Sequence, residues 1–212
     1  MKTMIAVPCM DKIHTEFARC LIDLEKTNDT KICFKQSSLI YDSRNLLSLT
    51  ALGMEFDRVL WLDSDMTFTA ETLTQLHNVM DRGYDLVTGL YVKRKAPVIP
   101  VLYKTILPPD TSKPDIKKCV IDYLDYPTDD IFPVAGCGFG CVLTSTALLE
   151  KVWKRFGPAF SPLPGAGEDI SFCYRAGLVG ASMVCDSSVR CGHIGGVTFT
   201  PEIYEKQRSE KN

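Results

Sequence analysis

The chain comprises 212 residues, 45% of them hydrophobic and 24% charged, with a formal net charge of −2. A chain of this length can bury a core that needs no disulfide or metal staple, and its composition is that of a soluble globular protein with one domain as the default. The near-neutral balance excludes a surface built throughout for nucleic acid and leaves room only for a local basic patch.

In chain order, Met4–Val7 reads as a buried strand stopped by Pro8. Ile13, Phe17, Cys20, Leu21 and Leu24 then recur at helical spacing. Lys31–Lys35 reads as a second strand, and Asn45–Leu52 as a helix with Leu46, Leu49 and Leu52 on its apolar face. The apolar run Val59–Leu62 predicts a third strand. A helix follows near Ala70–Arg82, with Thr69 as N-cap and Gly83 as its stop. Asp85–Tyr91 predicts a further strand. Such alternation predicts a parallel, helix-covered sheet. Residues 104–118, rich in proline and lysine, break the rhythm and read as an irregular surface excursion. Order returns with a glycine-rich turn at Gly136–Gly140, a short strand and a helix near Ser145–Arg155. A Pro/Gly loop at 157–167, a helix opening at Glu168–Asp169, a strand at Ala181–Cys185 and a polar, fraying tail at 201–212 complete the chain.

Nine cysteines lie mostly within apolar segments, and none forms a Cys-x-x-Cys pair. That pattern predicts buried, reduced thiols rather than a zinc ribbon or a thioredoxin-type site. No signal-peptide pattern occurs, and no apolar run approaches the roughly 18 residues of a membrane span, so a cytoplasmic location without a transmembrane segment is expected.

The run Val59-Leu60-Trp61-Leu62-Asp63-Ser64-Asp65 delivers two carboxylates to the far end of a predicted strand. Ligands of open α/β sheets bind at the carboxyl ends of strands, and residues i and i+2 share a side of extended backbone. Asp63 and Asp65 therefore suit a hard divalent ion that bridges to an anionic substrate such as a diphosphate. Glu168-Asp169 follows the loop Ser161–Gly167. The pair is an ordinary acidic helix start, or else it supplies a general base aimed at an acceptor hydroxyl. His193 stands in the glycine-flanked segment Arg190–Gly196, which reads as a loop, and its imidazole would complete a metal site begun by the two aspartates. His14 and His77 fall within predicted helices and carry no such expectation. Arg44 and the run Lys93-Arg94-Lys95 are the candidate partners of an anion.

Ser43-Arg44-Asn45, Leu62-Asp63-Ser64-Asp65, Ala135–Gly140, Gly167-Glu168-Asp169-x-x-Phe172-x-x-Arg175 and Gly192-His193 occur in that order. The series resembles the nucleotide-sugar glycosyltransferases of the GT-A fold and is similar to glycosyltransferase family 2, over roughly residues 3–196. The resemblance implies an α/β, Rossmann-like, mostly parallel central sheet flanked by helices, with a smaller acceptor-side region. It implies one domain over residues 1–200, divided into a nucleotide-sugar-binding half (1–91) and an acceptor-side half (92–200), followed by the polar tail at 201–212. It also implies transfer of a hexosyl or N-acetylhexosaminyl group from a nucleoside-diphosphate sugar, UDP before other carriers, to an acceptor hydroxyl with inversion, assisted by Mn²⁺ or Mg²⁺. By the same resemblance Pro8, Arg44, Asp63, Ser64, Lys93 and Arg94 serve the donor. Asp63, Asp65 and His193 serve the metal, and Asp169, with Glu168 beside it, the chemistry. The acceptor would be a glycan, a small molecule or a hydroxymethylpyrimidine of phage DNA, the last prompted by basic residues at 93–95 and 113–118. Two other readings compete. A sugar-nucleotide nucleotidyltransferase usually opens with a glycine-rich segment, and Met4–Met10 holds no glycine. A non-catalytic nucleotide- or glycan-binding module needs none of the acidic positions.

Overall fold

The computed structural model describes residues 1–108, 119–196 and 198–210. The basic residues at 113–118 and most of the expected surface excursion lie outside them. The elements run β1 (Thr3–Cys9), α1 (Thr15–Asp23), β2 (Thr30–Gln36), α2 (Ile40–Gly53), β3 (Arg58–Leu62), β4 (Met66–Thr67), α3 (Thr72–Met80) and β5 (Leu86–Leu90). They continue with β6 (Leu102–Ile106), β7 (Val120–Asp122), β8 (Ile131–Pro133), β9 (Gly136–Cys137), β10 (Cys141–Ser145) and α4 (Thr146–Phe156). The last are α5 (Glu168–Leu178), β11 (Met183–Arg190), β12 (Gly192–Ile194), β13 (Thr198–Phe199) and α6 (Pro201–Ser209).

Seven strands form the central sheet in the order β2-β1-β3-β10-β5-β11-β8. The pairings β1 with β2, β1 with β3 and β5 with β11 are parallel, whereas β10 runs antiparallel to both β3 and β5. With β8 antiparallel to β11, five of the seven strands still point the same way, so the sheet is mostly parallel, and β10 is inserted between β3 and β5. Side chains alternate across the sheet as the strand period of two requires. Val59 and Trp61 face the core shared with α2, α4 and α5, while Leu60 and Leu62 face the core shared with α1 and α3. Burial on both faces explains why β3 reads as an unbroken apolar run.

Several local expectations change on inspection of the backbone. Pro8 does not end β1. It pairs in register with Lys35, while the register with β3 extends only to Ala6, so its missing N–H costs no ladder bond on that side. In α2 the buried face is Ser43, Arg44, Leu47, Ser48 and Ala51, and Leu46 and Leu49 are exposed. α3 begins later than expected, at Thr72, and Thr69 donates its N–H to the Thr72 hydroxyl rather than capping the helix. Gly83, at φ 101°, does terminate the α3 region, a conformation glycine adopts without strain. Ser145 caps α4 by accepting the Leu148 N–H at 3.1 Å. The glycine-rich stretch at 136–140 is partly strand, and the polar segment from 201 is helical. α6 is docked by Arg190, which bonds Glu202 at 2.5 Å and Glu205 at 2.7 Å, and by the buried Tyr204.

Two three-stranded antiparallel sheets flank the main one, β13-β12-β4 and β7-β6-β9. The first fixes the place of a histidine. Pairing of β12 with β4 sets His193 opposite Met66 and so brings it beside Asp65. No helix among the described residues is long and apolar enough to cross a membrane.

Candidate active site

A cleft of about 870 Å³ opens where β1, β3 and β5 end, a volume typical of small-molecule sites. Pro8, Arg44, Asp63, Ser64, Asp65, Lys93, Arg94, Glu168, Asp169 and His193 all line it. Every residue singled out from the sequence as a donor, metal or catalytic candidate is thus brought to one place. The sequence reading passed over His14, Tyr91 and Phe139, which line the same cleft. The Tyr91 position carries a usable signal, since it directly follows the carboxyl end of β5.

Asp63 leaves the end of β3 with its N–H bonded to the Gly140 carbonyl at 3.1 Å. Residues 63–65 then turn rather than continue extended, so the two aspartates acquire different partners. Asp63 Oδ1 accepts a 2.7 Å bond from Arg44 Nη2. The Arg44 guanidinium is only 1% exposed, lies 3.4 Å from Glu168 Oε1 and packs over the rings of Phe139 and Phe160. Burial would discharge it, but Asp63, Glu168 and Asp169 outweigh that and hold it charged. A buried arginine in this setting is a fixed post that joins the end of β3 to the start of α5. Burial raises the Asp63 pKa despite Arg44.

Asp65 faces the other way. Its Oδ2 pairs with Arg94 Nη1 and stands 3.4 Å from His193 Nε2. Burial opposes ionisation of Asp65, yet the bonds from His193 and Arg94 keep its pKa below the ordinary carboxylate value. His193 Nδ1 lies 2.9 Å from the Val92 carbonyl. A carbonyl only accepts, so Nδ1 carries a proton, and Nε2 donates to Asp65 when the ring is also protonated there. Burial opposes that charge, but Asp65 and the Val92 carbonyl raise the His193 pKa. The ring meets Tyr91 edge-on at 5.6 Å, and β12 fixes it in a strand rather than the expected loop. Cis ligands of an octahedral ion about 2.1 Å away stand about 3 Å apart. The Asp65–His193 pair therefore fits two corners of a divalent-ion site. Among the described residues no cluster of three or more His, Cys, Asp or Glu side chains is placed to enclose an ion.

Asp169 lies in the first turn of α5, where its Oδ1 accepts the Ile170 N–H at 2.7 Å. Burial, followed by the charge of Glu168, pushes its pKa up to about 6. Such a carboxylate is ionised at neutral pH yet basic enough to take a proton. Gly167 makes this position possible, because a Cβ there would stand 2.9 Å from Asp169 Oδ1. His77, by contrast, lies away from the cleft on α3. Burial and neighbouring Arg58 depress it to about 4.

No family model and no curated protein matches the chain. Solved structures do. A197 from STIV superposes with a TM-score of 0.68 at 20% identity, covering 92% of this chain and 86% of that one. GalNAc-T7, solved with UDP, GalNAc and Mn²⁺, superposes with a TM-score of 0.61 at 9% identity over 92% of this chain. The fold is GT-A. The chain spans 44% of the length of that enzyme. At these identities the GT-A likeness speaks for architecture, and chemistry has to be argued from the cleft.

Proposed function

We propose that the chain is a metal-dependent glycosyltransferase that moves a sugar from a nucleoside-diphosphate sugar to an acceptor hydroxyl with inversion. The observation that carries this reading is the meeting, in one cleft, of the Asp65–His193 pair, 3.4 Å apart, with a carboxylate at Asp169 whose pKa is pushed up to about 6. The GT-A architecture, shared with an enzyme solved with UDP, GalNAc and Mn²⁺, supports UDP as the carrier and Mn²⁺ or Mg²⁺ as the ion.

In this reading the backbone at Pro8 and the Asp63–Ser64 turn receive the nucleoside. Asp63 is held ready by Arg44, and Lys93 and Arg94 face the diphosphate. Asp65 and His193 would hold the ion, which as a Lewis acid offsets the charge that gathers on a departing diphosphate. Asp169 takes the proton from the acceptor hydroxyl as its oxygen attacks the anomeric carbon. The carbon–oxygen bond to the diphosphate breaks, and its electron pair leaves with the nucleoside diphosphate. Glu168 neutralises Arg44 and keeps the start of α5 in place. Attack from the side opposite the leaving group inverts the anomeric centre. The acceptor is a glycan, a small molecule or a nucleic-acid hydroxymethyl group. Slow acceptor-free hydrolysis tests the class before the acceptor is known. Incubated with a panel of nucleotide sugars and Mn²⁺, the protein should release nucleoside diphosphate from one of them, and release from none contradicts the reading.

A further inference from the structure

Arg94 stands where a divalent ion would have to approach. Its guanidinium pairs with the same Asp65 Oδ2 that faces His193 Nε2. One carboxylate oxygen thus already has a full positive charge on it, and an incoming cation meets both an occupied ligand and a like charge. The backbone behind Arg94 is fixed. Lys93 N–H bonds the Ile99 carbonyl at 2.9 Å, Val92 bridges to Pro100, and the Val92 carbonyl receives the His193 Nδ1–H. A Cβ on Gly195 would lie 3.4 Å from Arg94 Cβ, so the loop rests against the bend that follows β12. Only the side chain is free: it is 55% exposed and lines the cleft. A rotamer change suffices to carry the guanidinium from Asp65 to an anion in the cleft.

We infer that Arg94 is an exchangeable counter-cation, which occupies Asp65 until a divalent ion arrives and then transfers to the diphosphate that the ion brings with it. The inference rests on the glycosyltransferase reading for the identity of the anion. Its consequence is an order of assembly. The ion alone must compete with Arg94, whereas ion and diphosphate together satisfy Asp65, His193 and Arg94 at once, so each strengthens the binding of the other. A guanidinium that merely braced Asp65 for the metal would act in the opposite sense, and its removal would weaken the metal.

Calorimetric titration of Mn²⁺ into the wild type, Arg94→Ala and Arg94→Gln, each with and without saturating UDP, separates the two. Without UDP both variants should bind Mn²⁺ about three- to fivefold more tightly than the wild type, the scale of a partly exposed ion pair. With UDP that advantage should vanish or reverse. Lys154→Ala, which removes an exposed charge on α4 away from the cleft, should leave Mn²⁺ affinity unchanged. Equal or weaker Mn²⁺ binding by the Arg94 variants without UDP overturns the exchange. If the wild type still takes up Mn²⁺ in the presence of UDP, the donor reading survives that result. Absence of Mn²⁺ binding in every protein under both conditions overturns the exchange and the metal assignment together.

Discussion

Asp169 and Gly167 carry the sharpest consequences at the scale of single residues. The Asp169 pKa of about 6 lies above the ordinary 3.8. Between those values the folded chain retains a proton that the unfolded chain has lost, so stability falls as pH rises through the window. Asp169→Asn removes that cost and should stabilise the fold at neutral pH on the order of 1–3 kcal/mol, read as a raised denaturation midpoint. The same variant should bind nucleoside diphosphate normally and transfer no sugar. Wild-type turnover should rise through about pH 6 as the carboxylate ionises. Retained transfer in the variant would remove Asp169 as the base. Gly167→Ala tests position rather than charge. Its Cβ would sit 2.9 Å from Asp169 Oδ1 and push the carboxylate aside. Because the displaced atom ends a side chain, the melting temperature should hardly move, while kcat falls about tenfold or more. An unchanged kcat would show that the placement of this carboxylate does not matter.

Among the elements, those buried on both faces were the most legible. β3 declares itself by four consecutive apolar residues, Val59–Leu62, and the acids that follow it line the cleft. The insertion of β10 between β3 and β5 leaves no local trace, because its partners are far away in sequence and periodicity reports only faces. α2 misleads for a different reason. Its inward face holds Ser43, Arg44 and Ser48, and a buried arginine neutralised by two remote carboxylates is invisible to a hydrophobic pattern, so the exposed Leu46 and Leu49 stand out instead. In the site, the residue types were legible and their partnerships were not. The turn at 63–65 sends the two aspartates apart, to Arg44 and to His193. α6 was hidden by its polarity. Its docking depends on Arg190 and on Tyr204, whose hydroxyl donates to the Leu124 carbonyl. Tyr204→Ala should release this helix locally, exposing Lys206 and Arg208 to rapid tryptic cleavage while the central sheet still unfolds cooperatively. Cleavage as slow as in the wild type would mean that the ion pairs alone hold it.

For the whole molecule, the sheet and its flanking pieces divide the labour. Parallel strands β1, β3 and β5 end at the cleft, and α5 brings Asp169 from one core layer. The small β13-β12-β4 sheet closes the other side and turns His193 onto Asp65. The nine cysteines, all free thiols and mostly buried, belong to the packing of these layers. Such an arrangement predicts a donor site whose affinity depends on a divalent ion held at Asp65. The most direct test is calorimetric titration of UDP, GDP, CDP and dTDP, with and without Mn²⁺, into the wild type and Asp65→Ala. One nucleoside diphosphate should bind the wild type in a Mn²⁺-dependent manner and lose that dependence in Asp65→Ala. Binding of none of the four, or equal binding by both proteins with Mn²⁺ present, would contradict a metal-dependent glycosyltransferase and leave a GT-A scaffold serving another purpose.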